Sequence, residues 1–246
     1  MVSKNQKKLI KSLYQKKYRK QHGLFVAEGK KVIKELLEAN LRLHSLFTLN
    51  SNIFDIPETL VYNVSEEELK QISFLTTPQV ALAIFYIPEY KENDNDGLVL
   101  ALDDIRDPGN LGTIIRLCDW FGVKELVCSL QTVDCYNPKV IQATMGSITR
   151  VNITYKDLQQ YIKTESSNSK IFGTFMDGEN IFSLKLPEKG IIVMGNEANG
   201  ISTAIKNLVN QKVAIPQFGQ IQKTESLNVA TATAIILSEF KRSSCD

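Results

Sequence analysis

The second half of the chain alternates short apolar runs with segments whose apolar residues recur at helical spacing. The runs predict buried strands at 98–102, 125–129, 151–155, 171–175, 191–194 and 213–215. The helical spacing predicts helices over 111–121, 138–145 and 226–241. Strands that alternate with helices favour an α/β fold, in which a mostly parallel sheet carries helices on both faces.

The first part of the chain predicts a smaller α/β domain. Apolar residues at helical spacing predict a helix over 28–40, and apolar runs predict strands at 43–49 and 80–87. Ser65 and Glu68 form a capping-box pattern, which predicts that a short helix follows.

The boundary between the two predicted domains lies in a polar, acidic segment at 89–97 that ends in glycine. Such a composition is typical of a linker. We therefore expect a first domain at 1–88, a linker at 89–97 and a second domain at 98–246. A length of 246 residues is compatible with this division.

The composition indicates a soluble protein with a proper core, because 43% of the residues are hydrophobic. No apolar run approaches the roughly 20 residues of a membrane helix, and no apolar signal segment follows the charged N-terminus. The four cysteines show no CxxC spacing, which favours reduced thiols. We expect a cytoplasmic location.

Histidine is almost absent, since the chain has only His22 and His44. A Ser-His-Asp triad or a zinc site in the second domain is therefore nearly excluded, and we predict no metal site. The second domain also has neither a Walker loop nor the GxGxxG fingerprint. Chemistry there must use other side chains or a cofactor that supplies the reactive group.

The positive charge of the chain is concentrated at its N-terminus. Residues 1–20 contain eight Lys and Arg residues and no acidic residue, with tyrosines between them. Such a segment attracts polyanions, and aromatic rings can stack on unpaired bases. The alternative is a solvated terminal helix. The candidate nucleic-acid ligands are Lys7, Lys11, Lys16, Lys17 and Arg19.

The first of three candidate segments follows the predicted strand at 98–102. Pro108 and Gly109 predict a turn, and Asn110 is predicted to cap the next helix. Arg116 is predicted to point away from the apolar face of that helix, where it could bind a phosphate. The alternative is that Arg116 is an ordinary solvated side chain.

The second segment is Gly195-Asn-Glu-Ala-Asn-Gly200, which follows a buried strand. Its glycines permit a close approach of backbone to a ligand. Glu197 has two interpretations: it could contact ligand or substrate, or it could accept hydrogen bonds from loop amides and hold the turn rigid. The second interpretation is favoured.

The third segment runs from the strand at 213–215 through a polar loop into the last helix. Ser226 is predicted to cap this helix, and Asn228 is predicted to lie in its first turn. Asparagine is not chosen there for helix propensity, which indicates a function. The alternative is an ordinary alanine-rich buried helix.

Together the segments Asn-x-Gly-x-x-x-Arg (110–116), Gly-Asn-Glu-x-x-Gly (195–200) and Ile-Pro…Ser-Leu-Asn-Val (215–229) closely resemble the motifs of SpoU/TrmH-type RNA 2′-O-ribose methyltransferases. The resemblance covers roughly 98–241, and the segment at 25–33 resembles that family's substrate-binding domain. It implies an α/β domain with a C-terminal trefoil knot, which is SPOUT-like, and a homodimer formed through the catalytic domain. It also implies methyl transfer from S-adenosyl-L-methionine to a ribose 2′-hydroxyl of ribosomal or transfer RNA.

The resemblance also implies site residues, position by position. The implied cofactor ligands are Gly195, Ile215, Gln217, Leu227 and Asn228. The implied catalytic and substrate-positioning residues are Asn110, Arg116, Glu197, Ser226 and Asn228. The segment between Pro216 and Ser226 is longer than the common family form, and Ala230 stands where many members have Ser, so the chain departs from the family pattern at these two points.

The implied chemistry agrees with the residues, because a sulfonium methyl is already activated and needs neither metal nor histidine. Arginine is effectively never deprotonated, so we interpret Arg116 as a clamp on an RNA phosphate rather than a base. The separate first domain favours ribosomal RNA over transfer RNA as partner. The remaining alternatives are a non-catalytic RNA-binding relative and an unrelated α/β nucleotide-binding enzyme.

Overall fold

The computed structural model describes residues 1–89, 97–219 and 226–242. The helices are α1 (Lys4–Ser12), α2 (Lys16–His22), α3 (Lys30–Glu38), α4 (Glu66–Ile72), α5 (Pro108–Trp120), α6 (Pro138–Thr144), α7 (Leu158–Glu165), α8 (Thr203–Lys206) and α9 (Val229–Arg242). The strands are β1 (Leu24–Glu28), β2 (Leu43–Thr48), β3 (Val61–Asn63), β4 (Ala81–Tyr86), β5 (Leu98–Leu102), β6 (Glu125–Ser129), β7 (Asn152–Lys156), β8 (Ile171–Asn180), β9 (Gly190–Met194) and β10 (Gln211–Ala214).

The chain forms two compact units that do not follow the predicted boundary. The first unit combines the described residues of Met1–Lys91 with Asp134–Thr149, which we call the inserted segment. The second unit contains the other described residues. The sequence predicts a continuous domain at 98–246, whereas the structure assigns the inserted segment to the first unit. Most of the predicted linker lies outside the described residues.

The first unit contains a four-stranded sheet in the order β1-β4-β2-β3. β4 pairs antiparallel with both β1 and β2, and β3 pairs parallel with β2. Leu82 and Ile84 face one apolar cluster, which includes Ile10 of α1 and Leu69 of α4. The alternate residues of β4, such as Phe85, face a second cluster that includes α3. Helical layers therefore cover both faces of the sheet.

The inserted segment is held in the first unit by packing and by a buried ion pair. Ile141 of α6 is fully buried in the cluster that contains Phe25 and Ile33. Arg19, which is 2% exposed, pairs with Asp134 at 2.5 Å. The segment turns back at Gly146, where φ is +98° and a Cβ atom would lie 2.5 Å from a side-chain carbon of Glu35. The turn therefore requires glycine.

The second unit contains a six-stranded parallel sheet in the order β10-β8-β9-β5-β6-β7. Ile171, Ile191 and Val193 pack against α7 and α8 on one face. Phe172, which points to the opposite face, meets Phe240 of α9 edge-on at 5.1 Å. A parallel α/β sheet with helices is thus confirmed for this unit.

Several predicted elements differ from the structure. The segment predicted as a helix from Glu28 begins instead with strand β1, because the apolar run from Leu24 pairs with β4, and α3 starts only at Lys30. β8 extends five residues beyond the predicted end at Phe175. The capping box of Ser65 and Glu68 is confirmed.

Among the described residues, no helix is both long enough and apolar enough to span a membrane. The described cysteines, Cys118, Cys128 and Cys135, are buried and form no disulfide. Cys245 lies outside the described residues.

Candidate active site

Three loops leave the carboxyl ends of parallel strands in the second unit. They follow β5, β9 and β10, and they contain the three segments predicted from the sequence. β9 lies directly beside β5, and β10 lies on the same side of the sheet beyond β8. Ligands of open α/β sheets bind at this edge, because strand ends and loops form a crevice there.

One asparagine connects all three segments. Asn110 donates from Nδ2 to Oε1 of Glu197 at 2.6 Å, and Asn228 donates from Nδ2 to Oδ1 of Asn110 at 2.9 Å. The structure therefore brings together residues that lie far apart in sequence. Because the side-chain nitrogen and the side-chain oxygen of Asn110 are both hydrogen-bonded, Asn110 is placed to position Glu197 and Asn228.

The predicted N-terminal caps of α5 and α9 were both wrong. Asp107, rather than Asn110, caps α5, because Asp107 accepts from Asn110 N at 2.8 Å and Pro108 occupies the first helical position. Asn228, rather than Ser226, caps α9 by accepting from Ala230 N at 3.0 Å. Ser226 precedes the helix and is exposed. The early start of α5 turns Asn110 from a cap into a bridge.

The loop at 195–200 is organised by Asn196 rather than by Glu197. Asn196 accepts from the backbone N–H of Ala198 at 2.9 Å and of Asn199 at 3.1 Å, and it donates to the carbonyl of Asp104 at 2.7 Å. The backbone of Asn196 also exchanges two hydrogen bonds with Gly200. The favoured interpretation of Glu197 as the acceptor of loop amides is therefore wrong, because Asn196 accepts them and the Glu197 carboxylate reaches Asn110.

Gly195 lies where two backbone segments nearly touch. A Cβ atom at this position would lie 2.3 Å from the carbonyl carbon of Gly200 and 2.3 Å from the nitrogen of Ile201. Real Cβ atoms do not approach backbone so closely, so the loop can close on itself only with glycine here. This contact holds one wall of the pocket described next.

A pocket of about 640 Å³ lies beside these loops. It is bordered by Gly195, Ile215, Gln217 and Leu227, which are predicted cofactor ligands, and by Glu197 and Ser226. Its size lies within the range of roughly 300–1,000 Å³ found for small-molecule sites. Asn228, which is also a predicted cofactor ligand, is not among the lining residues.

Apolar side chains dominate the pocket lining. Met194, Ile201 and Ile236 line it, as in a site for a ligand with a large apolar surface. The described residues contain no cluster of His, Cys, Asp or Glu that could hold a metal ion. Burial raises the pKa of the Cys118 thiol on α5 well above its ordinary range, which makes that group unreactive.

Arg116 is not brought into the pocket. It is exposed on α5, between one and two turns beyond Asn110. Among the described residues it has no hydrogen-bond or ion-pair partner, so its guanidinium is available to a ligand outside the protein. This agrees with the predicted orientation away from the apolar face.

The comparisons with known proteins agree with this geometry. Residues 97–238 match the SpoU rRNA Methylase family, and residues 4–83 match the MRM3-like substrate binding domain. The chain belongs to the SpoU rRNA methylase family. The resemblance stated from the sequence is therefore confirmed over both domains.

Three relatives of this SpoU methylase each cover nearly its whole length. It is 30% identical over 247 residues to the 23S rRNA (guanosine(2553)-2′-O)-methyltransferase RlmP of Bacillus subtilis (strain 168), with 97% of each protein covered. A TrmH-family protein from Porphyromonas gingivalis has a TM-score of 0.88 and 36% identity, covering 98% of this chain and 99% of that one. An AdoMet-bound rRNA methyltransferase from Sinorhizobium meliloti has a TM-score of 0.85 and 28% identity, covering 98% and 97%.

Sequence reasoning missed part of the pocket of this SpoU methylase. Thr174, Phe175 and Met176 form one wall of the pocket. They belong to a bulge of β8, because Gly173 pairs with Lys212 of β10 and the next pair is Glu179 with Val213. Phe218 also lines the pocket and stacks on Phe182, with ring centroids 6.2 Å apart. No local pattern in the sequence indicates that this part of β8 departs from regular pairing with β10.

The predicted RNA ligands of the N-terminus divide into two groups. Lys16 and Lys17 are exposed, whereas Lys7 donates to Gln71 at 2.6 Å and Lys11 donates to the carbonyl of Ser73 at 3.3 Å. The contact of Lys7 is exposed, and that of Lys11 is partly buried.

The prediction of Arg19 as an RNA ligand was wrong. Its guanidinium is buried and binds Asp134, and it also donates to the carbonyls of Leu13 and Tyr14 at 2.8 Å. These partners of the Arg19 guanidinium all lie inside the first unit. Arg19 is therefore a structural residue.

Proposed function

We propose that this SpoU methylase transfers a methyl group from S-adenosyl-L-methionine to a ribose 2′-hydroxyl of ribosomal RNA. The observation that carries the proposal is the bridge from Glu197 through Asn110 to Asn228, which gathers three motif segments beside a pocket of suitable size. RlmP is named as a methyltransferase of 23S rRNA, and the Sinorhizobium meliloti relative is described as AdoMet-bound.

The pocket fits the cofactor in size and in composition. When bound, S-adenosyl-L-methionine supplies an activated methyl group, so the protein has only to bind and orient the reactants. We assign the backbone groups of Gly195, Ile215 and Leu227 to hold the cofactor, with Gln217 on the same wall. Asn228 supports this wall by fixing the start of α9.

The remaining motif residues are assigned to the RNA. Ser226 is exposed at the pocket, and its hydroxyl is assigned to orient the ribose. Arg116 is assigned to bind an RNA phosphate and to stabilise charge that develops on the ribose oxygen. Because arginine keeps its proton, the 2′-hydroxyl proton passes to a phosphate oxygen or to water. Asn110 and Glu197 are positioning residues.

Calorimetry with S-adenosyl-L-methionine tests the cofactor assignment. We expect saturable binding to the wild-type protein and at least tenfold weaker binding to Ile215→Asp, which places a charge on the pocket wall. No measurable binding by the wild-type protein would contradict the proposal.

Mapping of ribose methylation in total RNA, from cells with and without the gene, identifies the substrate. A change confined to transfer RNA would contradict the choice of ribosomal RNA.

We infer from the family resemblance that the protein is a cytoplasmic homodimer joined through the catalytic domain, with a C-terminal trefoil knot. Trp120, the single tryptophan, supports this interface because it is 84% exposed on α5. A nearly bare indole is unusual on a monomer surface. Analytical ultracentrifugation should show a dimer for the wild type and a monomer for Trp120→Asp. A wild-type monomer at micromolar concentration would contradict the inference.

A further inference from the structure

Both histidines of the chain lie in the first unit, and each packs against a tyrosine. His44 in β2 lies 5.6 Å from Tyr86 of β4, measured between ring centroids. His22 at the end of α2 stacks on Tyr18 at 6.5 Å, with the ring planes 20° apart. Neither pair belongs to the active site described above.

A cation accompanies each aromatic pair. The guanidinium carbon of Arg42 lies 4.2 Å from the centroid of Tyr86, and Nζ of Lys17 lies 5.8 Å from that of Tyr18. Arg42 and Lys17 are exposed, so their charged groups also face solvent. A planar guanidinium on a tyrosine presents its outer face for further stacking.

The two groups lie at the same end of the sheet. Tyr86 donates from its backbone N–H to the carbonyl of Arg42 at 3.0 Å, and Tyr86 is the register partner of Leu24. Leu24 follows the C-cap of α2, Gly23, whose carbonyl accepts from Ile87 N at 2.8 Å. Because β4 lies between β1 and β2, the start of β1, which follows α2, and the start of β2 are separated by about two strand spacings, or roughly 10 Å.

We call this surface the aromatic end. Its members are Lys17, Tyr18, His22, Arg42, His44 and Tyr86. Burial and the neighbouring Arg42 lower the pKa of His44, so its imidazole is neutral at pH 7 and offers a ring face rather than a charge. Each of its two groups thus combines planar rings with a cation, which is the composition that binds single-stranded nucleic acid.

We propose that the aromatic end binds unpaired nucleotides of the RNA substrate, with bases stacked on Arg42 and His44 and a phosphate held by Lys17. The inference rests on the proposed function and specifies which part of the RNA the first unit recognises. In a duplex the faces of the bases are covered by their neighbours, so only loops, bulges or strand ends can stack here. The aromatic end therefore selects RNA by its lack of pairing.

Fluorescence anisotropy with the full chain tests the proposal, using a short single-stranded RNA and the same strand annealed to its complement. We expect the wild type to prefer the single strand. Arg42→Lys retains charge but loses the planar group, and loss of a stacked base should weaken single-strand binding by about 5- to 150-fold. His44→Ala should act in the same direction.

The salt dependence separates stacking from phosphate contacts. Arg42→Lys and His44→Ala should leave the slope of log K against log salt unchanged, whereas Lys17→Ala should reduce it by about 0.7. Lys34→Ala is the matched control, since Lys34 is an exposed cation of α3 whose partner is Glu38. It should leave the preference for the single strand unaltered.

Three results would overturn the proposal. The first is that Arg42→Lys and His44→Ala both bind the single-stranded RNA as tightly as the wild type does, and the second is that the wild type binds duplex and single strand equally. The third is displacement of the RNA by polyglutamate at matched ionic strength, which would indicate an acidic protein partner. Uptake of S-adenosyl-L-methionine is measured on the same preparations. If the wild type takes up no cofactor, the proposed function fails, while the RNA measurements still decide the role of the aromatic end.

Discussion

Asn228 donates to Asn110 at 2.9 Å across 118 positions of sequence. The same Asn228 side chain caps α9 through its oxygen, so one amide both starts a helix and joins it to α5. Through Asn110 the connection continues to Glu197 in the loop after β9. Because the three loops share this network, a change in any one of the three residues should be transmitted to the other two.

Asn110→Ala should reduce kcat while leaving cofactor binding nearly intact. The substitution removes both hydrogen bonds of the bridge, each worth about 0.5–1.5 kcal/mol, which corresponds to a loss of roughly 5- to 150-fold. Asn110 is not among the pocket-lining residues, so the Kd for S-adenosyl-L-methionine should change by less than the loss in kcat. Single-turnover kinetics and calorimetry measure the two effects.

The matched control for Asn110→Ala is Gln159→Ala, on the exposed surface of α7. It should leave both quantities unchanged. A parallel loss of kcat and cofactor affinity in Asn110→Ala would instead show that the bridge maintains the pocket itself.

Gly195→Ala should abolish cofactor binding. The added methyl group would lie 2.3 Å from the backbone of Gly200 and Ile201, and a backbone atom cannot rotate away as a side chain can. The loop must open, and the pocket wall moves with it. Gly122→Ala is the control, because Gly122 has a φ of +65° with nothing within 4 Å of an added Cβ.

We expect Gly122→Ala to lose about 1–2 kcal/mol of stability from its left-handed backbone but to bind cofactor normally. Calorimetry and urea unfolding on both variants separate a local from a global effect. Normal cofactor affinity in Gly195→Ala would contradict the close contact.

Arg116→Ala should lower kcat by about 10- to 150-fold, the value of a hydrogen bond to a charged group. Arg116→Lys keeps the charge but loses the paired geometry, so we expect an intermediate rate. Steady-state kinetics with RNA measures both. Full retention of kcat in the two variants would exclude a catalytic role for Arg116.

Glu28→Gln should change the pH dependence of stability. Glu28 is buried, and burial raises the pKa of its carboxyl above the ordinary value despite hydrogen bonds from Ser73 and Phe74 N. The folded protein therefore holds a proton that the unfolded chain has already lost, and stability falls as the pH rises from the ordinary to the raised pKa. Glutamine cannot ionise, so the variant should lack this decrease.

The free energy of unfolding in urea, measured at a series of pH values, checks the prediction for Glu28. The variant should gain stability relative to wild type as the pH rises through the window and then level off. The exposed Glu67→Gln serves as control. A difference between Glu28→Gln and wild type that is independent of pH would contradict the expectation.

Asp134→Ala should destabilise the first unit by about 3–5 kcal/mol, because it leaves the buried guanidinium of Arg19 without its counterion. The exposed pair of Arg150 and Asp119 provides the comparison, and Asp119→Ala should cost about 0–1 kcal/mol. Denaturant unfolding followed by circular dichroism measures both. Equal effects of the two substitutions would contradict the structural role of Arg19.

The sequence predicts the second unit better than the first. Apolar runs such as 98–102 and 125–129 are buried on both faces, so their pattern alone identifies them as strands. β1 was missed because the helix prediction began at Glu28, whereas the structure places Glu28 at the end of the strand and buries it against Ser73. A buried, hydrogen-bonded carboxylate cannot be distinguished in sequence from an exposed one at a helix start.

The candidate site was predicted from its motifs, but not its internal contacts. Spacing showed that Asn110 and Asn228 lie near helix starts, yet which residue caps depends on where the first turn begins. Pro108 was a usable signal, since proline favours the first helical position and Asp107 precedes it. The wall formed by Thr174–Met176 depends on the pairing of β8 with β10, which no local pattern reveals.

The inserted segment means that cutting the chain at residue 97 would not yield two self-sufficient fragments. A fragment beginning at 98 would carry α6 with Ile141 separated from its apolar partners, and the remaining piece would retain Arg19 without the carboxylate of Asp134. Chimaeras that exchange substrate specificity between relatives must therefore transplant Asp134–Thr149 together with the N-terminal part.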